Sequence, residues 1–599
     1  MKQSFCRVFC IAISTMMLMT NGVIADSDVP TVSHERLMST AEDAANWLTF
    51  GQNYTNQRFS NLDQIRTSTV AQLKPRWTFN SGAKGPFQAQ PLVADGTMIV
   101  TLPGNDVVAL DAANGQTLWR YQHTKRRTDT LGSPANRGAA LADGKVFEAT
   151  NDGRLLALNA LNGEVIWDRV IVRPVEGELE GLDEPTRKRY LENIDTLPAK
   201  MPPLAYRGMV IVGVTSAGYG IYYNIGVKTR EGPAPRWQDF HGKRGFVAAF
   251  DADTGDEIWR WYTTRSGGWE GKFSATTGEG ESLSRDLDAE RIAAKSIGEN
   301  WRAGGSSTWS TPSLDPALGL LYVGTGNASP NDVPSARPGD NLYASSLVAL
   351  DVNTGEVRWH YQQVPQDVWG YDVASASVLF DVTVNEQTIP AVGIAGKTGW
   401  FYVHDRRSGK LLYRSEQVVP QENMFKRPSP EGVVVSPGSF GGVSWSPGSF
   451  DSRTGLMYVG AIHRPTRLTL DFAEEKTGRV GYTATDIALD LPSWGTLSAI
   501  DTGNAGKLRW QVKTAQPLIG GVLATAGGLV FVGEGDGNFA AFNSSDGSRV
   551  WGYRTGVGVN APPVSYQVGK TQFVAVAAGG SKYFGFPTGD LLIAFALDQ

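Results

Sequence analysis

Val107-Val108-Ala109-Leu110-Asp111-Ala112-Ala113-Asn114-Gly115-Gln116-Thr117-Leu118-Trp119 is the stretch whose reading decides the fold. An apolar strand ends on an aspartate, a turn carrying Gly115 follows, and a second short strand ends on a tryptophan. An Asp-to-Gly turn supplies the positive φ that reverses a strand, so this is a β-hairpin. The same order returns as Ala157-Leu158-Asn159 through Gly163 to Trp167, Ala249-Phe250-Asp251 to Trp259, Ala349-Leu350-Asp351 to Trp359, and Ala541-Phe542-Asn543 to Trp551. Two copies are looser. Val403-His404-Asp405 ends on Tyr413, and Ala499-Ile500-Asp501 reaches Trp510 with one extra residue.

Hairpins recurring every roughly 40 to 100 residues suit the four-stranded blades of a β-propeller, whose sheets bury their faces only against neighbouring blades. The terminal aromatic is expected to wedge between adjacent sheets. The chain stops at Ala596-Leu597-Asp598, the first half of such a hairpin, and Leu73-Lys74-Pro75-Arg76-Trp77 carries the second half. Joining them closes a ring. With Trp77 the terminal aromatics number eight, which predicts an all-β, eight-bladed propeller closed by N- and C-terminal strands. An open β-solenoid is the alternative, and it leaves both half-hairpins as unpaired edges. Residues 218–243 and 263–304 break the rhythm, the latter with a helix-like acidic stretch at 284–297, and are expected to form loops over the functional face.

The 69 glycines and 17 tryptophans among 599 residues fit a turn-rich β protein. Charged residues make up 19% and the net charge is −5, so no basic surface is available for nucleic acid or anionic membrane. At the N-terminus, Lys2 and Arg7 precede an apolar run from Val8 to Met19 and the small-residue site Val23-Ile24-Ala25. This reads as a signal peptide over residues 1–25, leaving a single propeller domain over 26–599 in the periplasm. The competing reading, a membrane anchor, has an apolar run too short to span. Both cysteines, Cys6 and Cys10, lie in that segment, so the remainder has no disulfide or thiolate site. With no Cys-x-x-Cys-His, the chain carries no c-type haem.

Several motifs, in order along the chain, resemble the pyrroloquinoline quinone (PQQ)-dependent alcohol and sugar dehydrogenases: residues 47–60, from Trp47 through Phe50-Gly51-Gln52 to Arg58-Phe59-Ser60; Leu73-Lys74-Pro75-Arg76-Trp77; Gly324-Thr325-Gly326-Asn327; Arg337-Pro338-Gly339-Asp340-Asn341; and the closing residues 556–563 and 572–576. The resemblance implies PQQ on the propeller axis, chelating Ca²⁺ or a lanthanide that polarises the quinone, with an aspartate taking the alcohol proton as hydride moves to the quinone. It places Trp309 under the quinone, with Ser307 a polar contact, Arg137 on a quinone carboxylate, Lys397 beside the reactive oxygens, Gln88 and Thr215 in the cofactor site, and Asn327 as a metal ligand. Each has a plainer reading: a wedge aromatic for Trp309, a solvated arginine for Arg137, a turn residue for Asn327.

The departures bear on mechanism. Many relatives carry Trp-Asp-Tyr-Asp where this chain has Trp369-Gly370-Tyr371-Asp372, so the usual catalytic aspartate is Gly370. Asp372 is the retained acid, on the same side if the segment is extended, and is taken as both base and metal ligand. The family's glutamate ligand is absent at Gly218, with Glu231 and Asp239 as candidates to replace it. Gln88 stands for a glutamate, Leu131-Gly132 for an adjacent-cysteine pair, Ser444 for an asparagine and Ile519 for a tryptophan. The lost bulk points to a bulky or secondary alcohol. Electrons would pass to a separate acceptor such as a soluble cytochrome c, with no stable membrane anchor. A non-catalytic envelope scaffold on the same repeats is the competing function.

Overall fold

The computed structural model describes residues 32–126, 134–174, 177–214, 244–331, 333–471, 481–486 and 493–598. The repeat hairpins pair as expected into eight antiparallel sheets of four strands. Blade 1 covers residues 92–121, blade 2 140–170, blade 3 204–262, blade 4 313–362, blade 5 378–414, blade 6 449–514 and blade 7 522–554. Blade 8 is made from the two half-hairpins: residues 564–597 give three strands, and Leu73–Asn80 completes it with Leu73 opposite Leu597 and Asn80 opposite Leu591.

Radial order follows from burial. The first strand of blade 1, Leu92–Ala94, is buried throughout, whereas its last, Thr117–Tyr121, buries only Trp119. The first strands therefore line the axis and the last strands face solvent. All eight terminal aromatics sit on last strands and reach sideways to the next blade. Each of the seven tryptophans donates its indole N–H to a backbone carbonyl there at 2.9–3.1 Å, and the Tyr413 hydroxyl donates to the Thr502 carbonyl at 2.8 Å. Trp551 closes the ring on the Leu73 carbonyl. The turn glycine makes room for the ring above it. Gly355 holds φ +72°, and a Cβ there would lie 2.5 Å from Trp259. Side chains larger than hydrogen are excluded twice over, by the left-handed backbone and by the indole.

Residues 47–60 close the centre. Trp47 exchanges backbone hydrogen bonds with Val93 of blade 1, and the Tyr54 hydroxyl donates to the Ala205 carbonyl of blade 3. Leu314, Leu379 and Phe450 of blades 4, 5 and 6 donate backbone N–H groups to Tyr54, Thr55 and Gln57. Phe59–Ser60 then adds a parallel fifth strand to blade 7. A segment that meets six first strands in turn lies where they converge. Arg58, fully buried, ties it down by donating to the carbonyls of Phe50, Val522 and Pro563 and to the Gln90 side chain.

The acidic stretch at 284–297 does contain a helix, Leu287–Ile297, capped by the Asp286 carboxylate accepting the Ala289 N–H at 3.0 Å. Two further insertions have no sequence expectation behind them. A helix Glu184–Ile194 lies between blades 2 and 3, and a small sheet of Val433–Val435, Thr466–Asp471 and Gly481–Asp486 is inserted around blade 6. The signal-peptide region and residues 218–243 lie outside the described residues.

Candidate active site

In a four-stranded antiparallel blade, the link that brings the chain to the first strand and the loop joining the second strand to the third emerge at the same face. The repeat turns emerge at the other. Gln88, Arg137, Ser307, Trp309 and Asp372 all precede first strands, of blades 1, 2, 4 and 5, while Asn327 and Lys397 follow second strands. Connectivity alone therefore gathers residues spread over some three hundred positions onto one face. The described insertions open on that face too.

Trp309 is at the centre of the arrangement. The preceding Thr308 anchors it, its N–H donating to the Val214 carbonyl at 2.9 Å and its hydroxyl to the Phe246 carbonyl at 2.8 Å. The ring stays partly exposed, and its buried Nε1 has no partner among the described residues. Two cations approach it: the Arg137 guanidinium at 5.3 Å from the ring centroid and the Lys397 ammonium at 5.6 Å. Arg137 also lies 4.6 Å from the Trp445 ring and donates from Nη1 to the Trp309 carbonyl at 3.0 Å. Burial pushes its guanidinium down to about 9, and its Nε has no partner among the described residues. A half-open aromatic surface flanked by two cations suits a flat polyanion.

Lys397 and Asp372 are joined twice. The ammonium is 2.8 Å from Asp372 Oδ2, and the Lys397 backbone N–H donates to the Asp372 carbonyl at 3.0 Å. Asp372 Oδ1 accepts the Asn327 backbone N–H at 2.7 Å. Asn327 turns its side-chain N–H to the Ala328 carbonyl, which leaves its amide oxygen for another contact. Ser307 is held in the same patch, its carbonyl accepting the Gly326 N–H at 2.8 Å. One carboxylate and one amide oxygen are the donor type a hard cation takes, though fewer than the roughly six to eight oxygens such an ion collects. Among the described residues no three His, Cys, Asp or Glu side chains cluster to hold a metal.

The extended reading of residues 369–372 is corrected. Gly370 has φ +80°, and the Asp367 carboxylate accepts the N–H groups of Trp369 and Gly370 at 2.9 and 3.0 Å. The segment turns, so Asp372 does not stand in for an acid at 370 by strand alternation. Asp367 is a carboxyl that sequence reasoning passed over. Burial, then the nearby Asp372 charge, holds its pKa above the ordinary value, and its job is to cap this turn. Trp445 was passed over as well, although it follows Ser444 and, like Trp309, lies outside the repeat. Gln88 is partly exposed in a link pinned beside Arg137, since the Gln90 N–H donates to the Arg137 carbonyl at 3.1 Å. Ile519 is buried among Ile462 and Phe586. Thr215, Leu131-Gly132, Glu231 and Asp239 lie outside the described residues.

The propeller and its half-open, cation-flanked indole define a quinone-dependent dehydrogenase. The family model for the PQQ glucose/ethanol/alcohol dehydrogenase β-propeller domain matches residues 47–426 and 474–574, and the chain belongs to that family as a quinoprotein alcohol dehydrogenase. Among curated relatives, the quinohemoprotein alcohol dehydrogenase of Comamonas testosteroni is 33% identical over 592 residues, covering 94% of this chain and 76% of the relative. The quinoprotein ethanol dehydrogenase of Pseudomonas putida is 30% identical over 610 residues, covering 95% and 91%. Among solved structures, the Comamonas testosteroni quinohemoprotein superposes with a TM-score of 0.75 at 29% identity, covering 95% of this chain and 83% of the other. A europium-containing methanol dehydrogenase does so with 0.72 at 26%, covering 94% and 100%. Family membership decides against the non-catalytic scaffold.

Proposed function

We propose that this quinoprotein oxidises a bulky or secondary apolar alcohol to a carbonyl in the periplasm and passes the electrons to a separate acceptor such as a soluble cytochrome c. When bound over Trp309, PQQ supplies the two-electron acceptor for the carbinol hydride. Asp372 takes the hydroxyl proton. Its two oxygens each spend one lone pair, on Lys397 and on the Asn327 N–H, and each keeps a second for the substrate. Lys397, between Asp372 and the Trp309 face, supplies positive charge where the reduced cofactor gains electron density. Arg137 takes a cofactor carboxylate. Asp372 and Asn327 contribute oxygens to Ca²⁺ or a lanthanide, with Ser307, Gln88 and Thr215 as further cofactor contacts. The europium named for one structural relative keeps the lanthanide in view.

The observation that carries this reading is the Lys397–Asp372 pair beside Trp309, which puts base, cation and platform together. The absence of a side chain at Gly370 and the isoleucine at Ile519, where a tryptophan is usual, favour a larger substrate. The missing Cys-x-x-Cys-His in this chain sends electrons elsewhere, and no helix among the described residues is long and apolar enough to cross a membrane. The test is to add PQQ with Ca²⁺ or a lanthanide to purified apoprotein and follow dye reduction over an alcohol panel. Turnover should depend on both additions and be higher for bulky secondary alcohols than for methanol. Comparable rates on the two sink the substrate assignment, and activity without metal sinks the metal site.

A further inference from the structure

Arg137 stands at the tip of a turn that is braced from the strand beside it. The Asn136 side-chain oxygen accepts the Gly138 N–H at 3.0 Å, closing a loop around the residue between them. From the other side, the Gln90 N–H holds the Arg137 carbonyl at 3.1 Å. Blade 2 pairs Ala140 of its first strand with Phe147 of its second, so residues 136–138 run on past the end of the second strand, Lys145–Ala149. Asn136 is buried there, and its Nδ2 spends both hydrogens on that strand: one on the Ala149 carbonyl and one on Glu148 Oε1, each at 3.0 Å. The contacts form one relay, from Glu148 through Asn136 to the turn that carries Arg137.

Glu148 is a poor choice for stability alone. It is fully buried, its one hydrogen bond among the described residues comes from a neutral amide, and its Oε2 has none. Burial, and after it the charges of Asp106 and Asp152, hold its carboxyl well above the ordinary range, which favours the neutral acid. Desolvating a carboxyl for one amide contact costs more than it returns, and a leucine would fill much the same volume without that cost. What leucine lacks is an acceptor for the second Asn136 hydrogen. We infer that Glu148 is a positioning residue for cofactor binding: through Asn136 it fixes the turn that aims Arg137 at a PQQ carboxylate. This rests on the quinone site described above. An arginine fork recognises a carboxylate edge-on, so its worth depends on where its backbone is held. Nη1 is already fixed on the Trp309 carbonyl, which leaves the turn itself as the part that must be braced.

The experiment titrates wild-type, Glu148→Leu and Glu148→Gln apoproteins with PQQ and with its trimethyl ester by tryptophan fluorescence. Glu148→Leu should bind PQQ about tenfold more weakly and the ester nearly as wild type does, because only the acid uses the Arg137 fork. Glu148→Gln keeps an oxygen for Asn136 and should recover most of the PQQ affinity. In an Arg137→Met background, Glu148→Leu should cause no further loss, since the relay then has nothing to aim. Asn136→Ala cuts the same relay one link later and should repeat the acid-selective loss, which keeps the test open if Glu148→Leu does not fold. Equal PQQ affinity in wild type and Glu148→Leu overturns the inference. So does an equal loss for acid and ester, a loss that persists without Arg137, or a glutamine variant as weak as the leucine one. Failure of the wild-type apoprotein to bind PQQ overturns the quinone site itself and is told apart by that control.

Discussion

At the scale of single residues, Asp372 is the proposed base. Asp372 is buried and held by Lys397 and by the Asn327 N–H, so Asp372→Asn keeps the shape and most of the packing while removing the proposed proton acceptor. Turnover of the PQQ-loaded enzyme should fall about 10²- to 10⁴-fold, with PQQ still bound by fluorescence titration. Full turnover after this change would show that another group takes the proton. His404 supports a second prediction. It occupies the position held by Leu110, Leu158, Phe250, Leu350, Ile500 and Phe542 in other blades, is fully buried, and is lowered to about 4 by burial. Between about pH 6.5 and 4 the unfolded chain binds a proton that the folded chain refuses, so stability is lost as pH falls through that window. At pH 5 the loss is about 2 kcal/mol. His404→Leu should flatten the decline in urea midpoint from pH 7 to pH 5, and an unchanged slope would assign the acid sensitivity to other groups.

At the scale of elements, the repeat was legible because its signal is local: an acidic or amide turn residue, a glycine and an aromatic lie within one hairpin and each serves the same contact. Even Tyr413, where the pattern loosens, makes the interblade hydrogen bond through its hydroxyl. The glycine–indole contact predicts that Gly355→Ala, with φ +72° and Trp259 2.5 Å from the added carbon, destabilises by about 2 kcal/mol or more. Gly355 is on the face opposite the site, so turnover per loaded molecule should hold while the melting temperature drops. A variant as stable as wild type would mean the indole gives way freely. The insertions were less legible. Glu184–Ile194 buries only Tyr190 and Ile194, too few apolar positions to print a helical period. The site divides in the same way. Trp309, Arg137 and Lys397 were readable from motif order, but the closeness of Trp445 to Arg137 is made by neighbouring links and leaves no mark in local spacing. The turn at Gly370 was missed because its cause, the Asp367 carboxylate, lies three residues upstream of a segment read as extended.

At the scale of the molecule, stability depends on closure. Each blade covers the next, and in a ring the last must cover the first; here blade 8 does so with Leu73–Asn80 paired to Leu591–Leu597 across a separation of more than five hundred residues. Leu591–Leu597 is an inner member of its sheet, bonded on one side to Leu73–Asn80 and on the other to Thr571–Ala578. Removing it therefore frees both neighbours, strips the Trp77-bearing strand of its partner and exposes the buried Leu592, Ile593, Ala594 and Phe595 contacts with blades 1 and 7. A chain ending at residue 590 loses an interior strand and not an edge, and the axial segment at 47–60, which depends on six first strands staying in a ring, loses its frame at the same time. Such a truncation should abolish the cooperative unfolding transition and leave a protein that binds a hydrophobic dye and aggregates on refolding, whereas ending the chain after Leu597 should melt like the full chain. A truncation at 590 that keeps a sharp transition would show that seven blades and the axial segment hold together without closure, and the ring would then be a consequence of the fold and not its cause.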